Sequence, residues 1–253
     1  MKRWWNVKRF DLVEVCLLTG LFVCGASYAG YRVARSNYEF HEESRALESA
    51  FGPERFSENE EEWIIRDFFG NKRNGFFVDV GAGHYRANSN TYYLESRLGW
   101  SGLAVEPFRH FEAEYLAHRP RTRFLPFFVS NVSNEAATLY TLGEDFAGNS
   151  SDRRFVERFG KNPKQITAAT ITLTDLFDRE NVGSIDFMSM DIELSEPKAL
   201  AGLDINRYRP SLVCIEAHPE VRQQIIDYFT RNRYILVGKY LRADDKNLYF
   251  IPL

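Results

Sequence analysis

The stretch Gly75-Phe76-Phe77-Val78-Asp79-Val80-Gly81-Ala82-Gly83 constrains the fold more than any other part of the chain. From Phe76 to Val80, aromatic and β-branched residues run together with little alternation, the pattern of a strand buried on both faces of a parallel sheet. Gly81 and Gly83 permit backbone angles and close approaches that a Cβ would block. Such a segment lets a ligand lie against the backbone at the carboxyl end of a strand, where open α/β sheets bind their ligands. A dinucleotide-binding fingerprint wants a third glycine where this chain has Arg86, which argues against a dehydrogenase domain.

Strands and helices alternate downstream. Strands are expected over residues 102–106, 123–129, 185–190 and 212–216, with shorter ones over 137–141 and 166–173. Helices are expected over 90–98, with Tyr93, Leu94 and Leu98 facing inward, and over 108–116, with Phe108, Phe111, Tyr115 and Leu116 on one face. Two more are expected over 196–203, where Pro197 is tolerated in the first turn, and over 218–232. Thr174 is expected to cap a short helix reaching Asp178. The Gly-, Asn- and Ser-rich segment 143–151 reads as a loop. Two strands, 234–240 and 248–251, then follow without an intervening helix, which implies an antiparallel pair at the end of a parallel sheet.

With 253 residues the chain accommodates one α/β domain and an appendage. A net charge of -3 gives no footprint for nucleic acid. Of the three cysteines, only Cys214 falls in the globular part, so neither an intradomain disulfide nor a zinc spacing is available there. Val15 to Tyr31 carries no charge and as a helix would span about 26 Å, slightly short of a hydrocarbon core of about 30 Å. Lys2, Arg3, Lys8 and Arg9 precede it, and Trp4 and Trp5 suit the membrane interface. A single-pass membrane anchor with a cytoplasmic amino terminus is therefore expected; the rival is a cleaved signal peptide ending near Ser27-Tyr28-Ala29. The chain divides into an anchor over 1–35, a helical lead-in over 36–74 and a sheet-bearing domain over 75–253.

From Trp63 to Leu253 the chain resembles the FkbM family of methyltransferases. The resemblance is carried by Phe77-Val78-Asp79-Val80-Gly81-Ala82, Ser89-Asn90-Thr91-Tyr92, Leu98-Gly99-Trp100, Val105-Glu106-Pro107, Ile185-Asp186-Phe187 and Met190-Asp191-Ile192-Glu193, with Asn247-Leu248-Tyr249-Phe250 near the end. Two positions depart from the family pattern. Gly83 stands where Asn or Asp is common, and Leu194 replaces the glycine of a Glu-Gly-x-Glu motif. The resemblance implies a class I, Rossmann-like α/β fold: a mostly parallel seven-stranded sheet with an antiparallel carboxyl-terminal hairpin. It implies S-adenosylmethionine as cofactor and an acceptor that is a small molecule, glycan or lipid.

On that fold, Glu106 and Pro107 at the tip of the second strand meet the ribose, whose two hydroxyls an ionised carboxylate can accept together. Gly81, Ala82 and Gly83 pass the methionine moiety, and Asp79 positions their loop or reaches the amino-acid end through water. Ser89, Asn90 and Thr91 either contact the carboxylate or cap the next helix. Ser130 and Asn131 are placed to bracket the adenine. Attack on the methyl group releases a neutral thioether, so an alcohol acceptor needs a base and alignment rather than an acid. Asp191, Glu193, Glu216 and His218 are the candidates, at the ends of two neighbouring strands. The same four groups offer oxygen and imidazole ligands to a divalent metal, but the expectation from spacing alone is that none is needed. A membrane-anchored interaction protein that keeps the fold without catalysis is the alternative.

Overall fold

The computed structural model describes residues 42–143 and 148–253. The apolar run from Val15 to Tyr31, with Cys16 and Cys24, lies outside the described residues. Among the described residues no helix is long and apolar enough to cross a membrane.

Seven strands form the central sheet: β1 (Phe76–Val80), β2 (Ser101–Val105), β3 (Thr122–Leu125), β7 (Phe187–Met190), β8 (Leu212–Glu216), β9 (Tyr234–Leu236) and β10 (Asn247–Pro252). Their spatial order is β3-β2-β1-β7-β8-β10-β9. β1 pairs in parallel with β2 and β7, and β7 in parallel with β8. β10 inserts between β8 and β9 and runs antiparallel to both. This is the class I methyltransferase sheet, with its order reversing outward from β1. At such a switch point the loops after neighbouring strands part and leave a crevice.

Both faces of the sheet are covered. Val78 and Val80 face a core built with α6 (Leu173–Arg179), α7 (Glu196–Ala201), α8 (Ile205–Tyr208) and α9 (Arg222–Arg231). Phe77, on the opposite face, packs with Trp63, Ile64 and Ile65 of α2 (Glu61–Phe69), Leu94 and Leu98 of α3 (Tyr92–Leu98), and Leu47 of α1 (residues 42–51). The lead-in helices thus cover one face of the sheet. Cys214 is buried in β8 as a free thiol.

Some expected elements shift. The single strand expected over 123–129 breaks at Pro126, which has no N–H to give a ladder. β3 ends at Leu125, and β4 (Phe128–Val129) leaves the main sheet to pair in parallel with β6 (Lys164–Ile171). β6 also pairs antiparallel with β5 (Ala136–Thr141), making a separate three-stranded sheet. The helix expected over 108–116 is a 3-10 turn at Arg109–Phe111 leading into α4 (Glu112–His118). Tyr115 is buried there, whereas Leu116 is 75% exposed, so it does not share the inward face. Thr172, not Thr174, caps α6, its Oγ1 accepting the Asp175 amide. α9 starts at Arg222, leaving His218 and Pro219 in the turn before it. β9 stops at Leu236, short of Tyr240.

Candidate active site

A cavity of about 870 Å³ opens where β1, β2, β7 and β8 end. Gly81, Ala82, Gly83, Glu106 and Pro107 line one side; Asp191, Glu193, Glu216 and His218 line the other. Gly81 takes φ 81°, and a Cβ there would lie 1.8 Å from the Asp191 carbonyl oxygen. Only glycine fits, because β1 and β7 turn past each other at that point. Asp191 donates its amide to the Val80 carbonyl (2.9 Å), fixing the two strand ends together.

Glu106 is buried at the tip of β2. Its Oε2 accepts the Gly83 amide and its Oε1 accepts the Phe108 amide, each at 3.1 Å. Burial pushes its carboxyl up to about 7, against the pull of those two amides. A carboxylate offers about four acceptor positions, so two remain for a pair of hydroxyls. Phe108, Phe111, Phe127 and Phe128 supply apolar wall beside it.

Beneath the glycine loop lies a closed polar network. Thr91 Oγ1 donates to Asp79 Oδ2 (2.7 Å) and accepts Arg119 Nη2 (3.1 Å). Arg119, only 1% exposed, also donates to Glu95, to the Tyr85 carbonyl (2.8 Å) and to Thr122 (3.2 Å). Burial raises the Asp79 carboxyl, while Thr91 and then Arg119 hold it back. Asp79 and Thr91 are therefore walled off from the cavity, and what they touch is the scaffold that shapes its floor. Ser89 Oγ accepts the Tyr92 amide (3.1 Å), a capping contact, and Ser89 does not line the cavity either. Asn90 does line it, with its Nδ2 donating to Ser189 (3.0 Å).

Ser130 and Asn131 require a correction. They follow β4, not the end of the β3 strand, and sit against Gly202 outside the cavity. The chain crosses to the second sheet after Pro126, and Phe127, Phe128 and Val129 line the cavity in place of the polar pair.

On the other side, His218 Nε2 lies 3.0 Å from Glu193 Oε2 and 3.0 Å from Glu216 Oε2. Phe155 of the short helix α5 (Arg153–Val156) meets the imidazole edge-on at 5.1 Å. Burial lowers the pKa of His218. Burial, then the charge of Asp191, raises Glu193; burial, then the charge of Glu193, raises Glu216. Asp191 is held well above the usual carboxylate range by enclosure in the cleft wall and then by Glu216. Asp191 as a residue nevertheless keeps surface on the cavity that it lines.

The turn carrying Glu193 is strained. Glu193 and Leu194 take φ 52° and 73°, a left-handed pair that disfavours side chains with a Cβ. Ser150 Oγ donates to the Glu193 carbonyl, and Ser151 pairs with Ser195 (2.9 Å), so the 148–152 loop clamps the turn. Glu196 closes it from below, Oε1 accepting the Ile192 amide (3.1 Å). Leu194 thus occupies a conformation that a glycine would take without strain.

Several cavity residues escape a reading by motif. Glu58, Asn59 and Glu61 come from the lead-in, Lys246 from the turn before β10 and Asn247 from its first position. Asn247 Nδ2 donates to Glu61 Oε1 (3.1 Å), tying the two segments together across the mouth. The acid run before α2 looks like an ordinary solvated helix start, which hides its role. Asn247, a polar residue opening an otherwise apolar strand, is the signal that was available.

Sheet order and cavity place the molecule among the class I methyltransferases. The family model for the methyltransferase FkbM domain matches residues 79–236, and the chain belongs to that family. It is an S-adenosylmethionine-dependent methyltransferase, and S-adenosylmethionine is its cofactor. No curated protein matches the chain in sequence. Among solved structures it is similar to precorrin-6y C5,15-methyltransferase from Geobacter metallireducens GS-15 (TM-score 0.42, 8% identity, 75% of this chain and 85% of that one). It is also similar to a TehB-like SAM-dependent methyltransferase from Corynebacterium glutamicum (0.42, 12%, 86% and 98%). A third similarity is to the Burkholderia thailandensis 1,6-didemethyltoxoflavin-N1-methyltransferase (0.35, 11%, 98% and 91%).

Proposed function

We propose that the chain transfers the methyl group of S-adenosylmethionine to a hydroxyl oxygen of a small molecule, glycan or lipid headgroup. One observation carries this reading. A single cavity joins the Glu106 tip, where a ribose would be held, to a group of three carboxylates and an imidazole across the Gly81 turn. Glu106 accepts the two ribose hydroxyls, while Gly81 and Gly83 let the methionine part pass close to the backbone. The methyl group then points toward Asp191. An acceptor hydroxyl loses its proton to a carboxylate of that group as its oxygen attacks in line. The new C–O bond forms as the C–S bond breaks, leaving a neutral thioether. Nitrogen acceptors that are already basic would not need so many bases in one place.

The chain is also proposed to be tethered to a membrane by residues 15–31 with its amino terminus cytoplasmic, on the support of their lack of charge and the four preceding cations. Protease protection on sealed vesicles tests the side.

The reaction is tested by incubating the full chain with methyl-labelled S-adenosylmethionine and fractionated glycans, polar lipids and metabolites. Label in an ether bond is the expected result. Label on nitrogen or carbon would overturn the acceptor assignment.

A further inference from the structure

The geometry points to a divalent cation bound by Glu193 Oε2, Glu216 Oε2 and His218 Nε2, at the acceptor end of the cavity. The three ligand atoms lie within 4.8 Å of one another, although they come from two different strand ends. Both imidazole-to-carboxylate separations are 3.0 Å. Adjacent ligands of an octahedral ion with bonds of about 2.1 Å are about 3.0 Å apart, so this spacing suits a small hard dication.

Hydrogen bonding among the three groups does not account for the arrangement. A neutral imidazole has one N–H, and on Nε2 it can serve Glu193 or Glu216 but not both. Glu216 Oε2 is buried and makes no hydrogen bond, although it is aimed at the same point. Glu196, fully buried behind the turn, leaves its Oε2 without a partner as well. Lys246 is nearby, but its ammonium is held by Glu58 at 2.9 Å. Carboxylates gathered at such a density either take up protons or bind a cation, and three ligand atoms aimed at one point favour the cation. Two carboxylates with one imidazole suit an ion of the Mn²⁺ or Mg²⁺ type, with positions left open for oxygen ligands.

Such an ion would take two oxygens of a vicinal diol and make one a better nucleophile, which narrows the acceptor to a diol or similar oxygen chelate. That role rests on the methyl-transfer reading above; the ligand set does not. It reverses the expectation of no metal, which rested on such i, i+2 spacings at a strand end arising often by chance.

Mn²⁺ binding to the full chain, followed by loss of the free-ion EPR signal, tests the site, with S-adenosylhomocysteine titrated into the same samples. One Mn²⁺ per chain is expected, with affinity reduced at least tenfold in each of Glu216→Gln, Glu193→Gln and His218→Ala. S-adenosylhomocysteine affinity should stay within threefold in those variants, which shows that they are folded. Absence of stoichiometric Mn²⁺ binding by the wild type, or binding unchanged in all three variants, would overturn the site. If S-adenosylhomocysteine fails to bind the wild type while Mn²⁺ binds, the methyl-transfer reading falls and the metal site stands.

Discussion

The two sides of the cavity are built on opposite principles. At the β1 and β2 tips, nearly every buried polar group has a partner. Asp79, Thr91, Arg119 and Glu95 close a network, and both Glu106 oxygens accept amides. At the β7 and β8 tips, acceptors outnumber donors, two carboxylate oxygens have no hydrogen bond, and the connecting turn runs through a left-handed pair. A satisfied network keeps its shape whether or not a ligand is present. An unsatisfied one, held under backbone strain, marks where a ligand must complete the structure. On the proposed reading, the first side is a preformed seat for the cofactor and the second is where the acceptor reacts.

Variants that strike one side and spare the other break this comparison most sharply. Asp191→Asn should lower turnover by about 10²–10⁴-fold, the usual range for losing a general base. Cofactor affinity, read by calorimetry, should stay within threefold; a parallel fall would move Asp191 to the cofactor side. Arg119→Met should cost about 3–5 kcal/mol in denaturant unfolding, because it strands Glu95 in the interior. A loss below about 1 kcal/mol would mean that the network under the glycine loop is not holding it.

The effect of pH is smaller and has a definite sign. Burial pushes the Glu106 carboxyl up to about 7 in the folded protein, above its ordinary value of 4.5. A raised carboxyl binds its proton more tightly when folded, so its contribution to stability is present below pH 4.5 and declines as pH rises towards 7. Cofactor binding runs the other way, because accepting ribose hydroxyls needs the charged form. Affinity for S-adenosylmethionine should rise about tenfold per unit as pH climbs to 7 and level off above it. Glu106→Gln should flatten that profile; an unaltered profile would assign the titration to another group. Leu194→Gly should have the mildest effect. Relief of a left-handed residue, about 1 kcal/mol, opposes loss of partial packing of similar size. A net stability change under about 1 kcal/mol by urea unfolding is expected, and a loss above about 2 would show that Leu194 packing outweighs the strain.

Much of this was readable before folding. Phe76 to Val80 announced a buried parallel strand because neither face shows polar alternation, and β8 fell at the expected bounds, Leu212 to Glu216. The missing helix before β10 announced the antiparallel ending. Ser130 and Asn131 were misplaced because a propensity reading carries a strand through Pro126, whereas the ladder cannot continue without its N–H. Ser89, Asn90 and Thr91 looked alike as a polar triplet. Only the fold separates Asn90 at the cavity from the two that bond inward. Neighbouring strands in the implied fold lead Asp191, Glu193, Glu216 and His218 to be expected together, but the 3.0 Å approaches of Glu193 and Glu216 to His218 needed three dimensions, since nothing in sequence sets the distance between two strand ends.

Calorimetric titration of S-adenosylmethionine into the wild type and Glu106→Ala tests the central claim most directly. The account predicts one site on the wild type and an affinity about 10²–10³-fold weaker in the variant, the loss of two charge-assisted hydrogen bonds, with the unfolding midpoint little changed. Equal affinity in the two proteins, or no binding by the wild type, would contradict it.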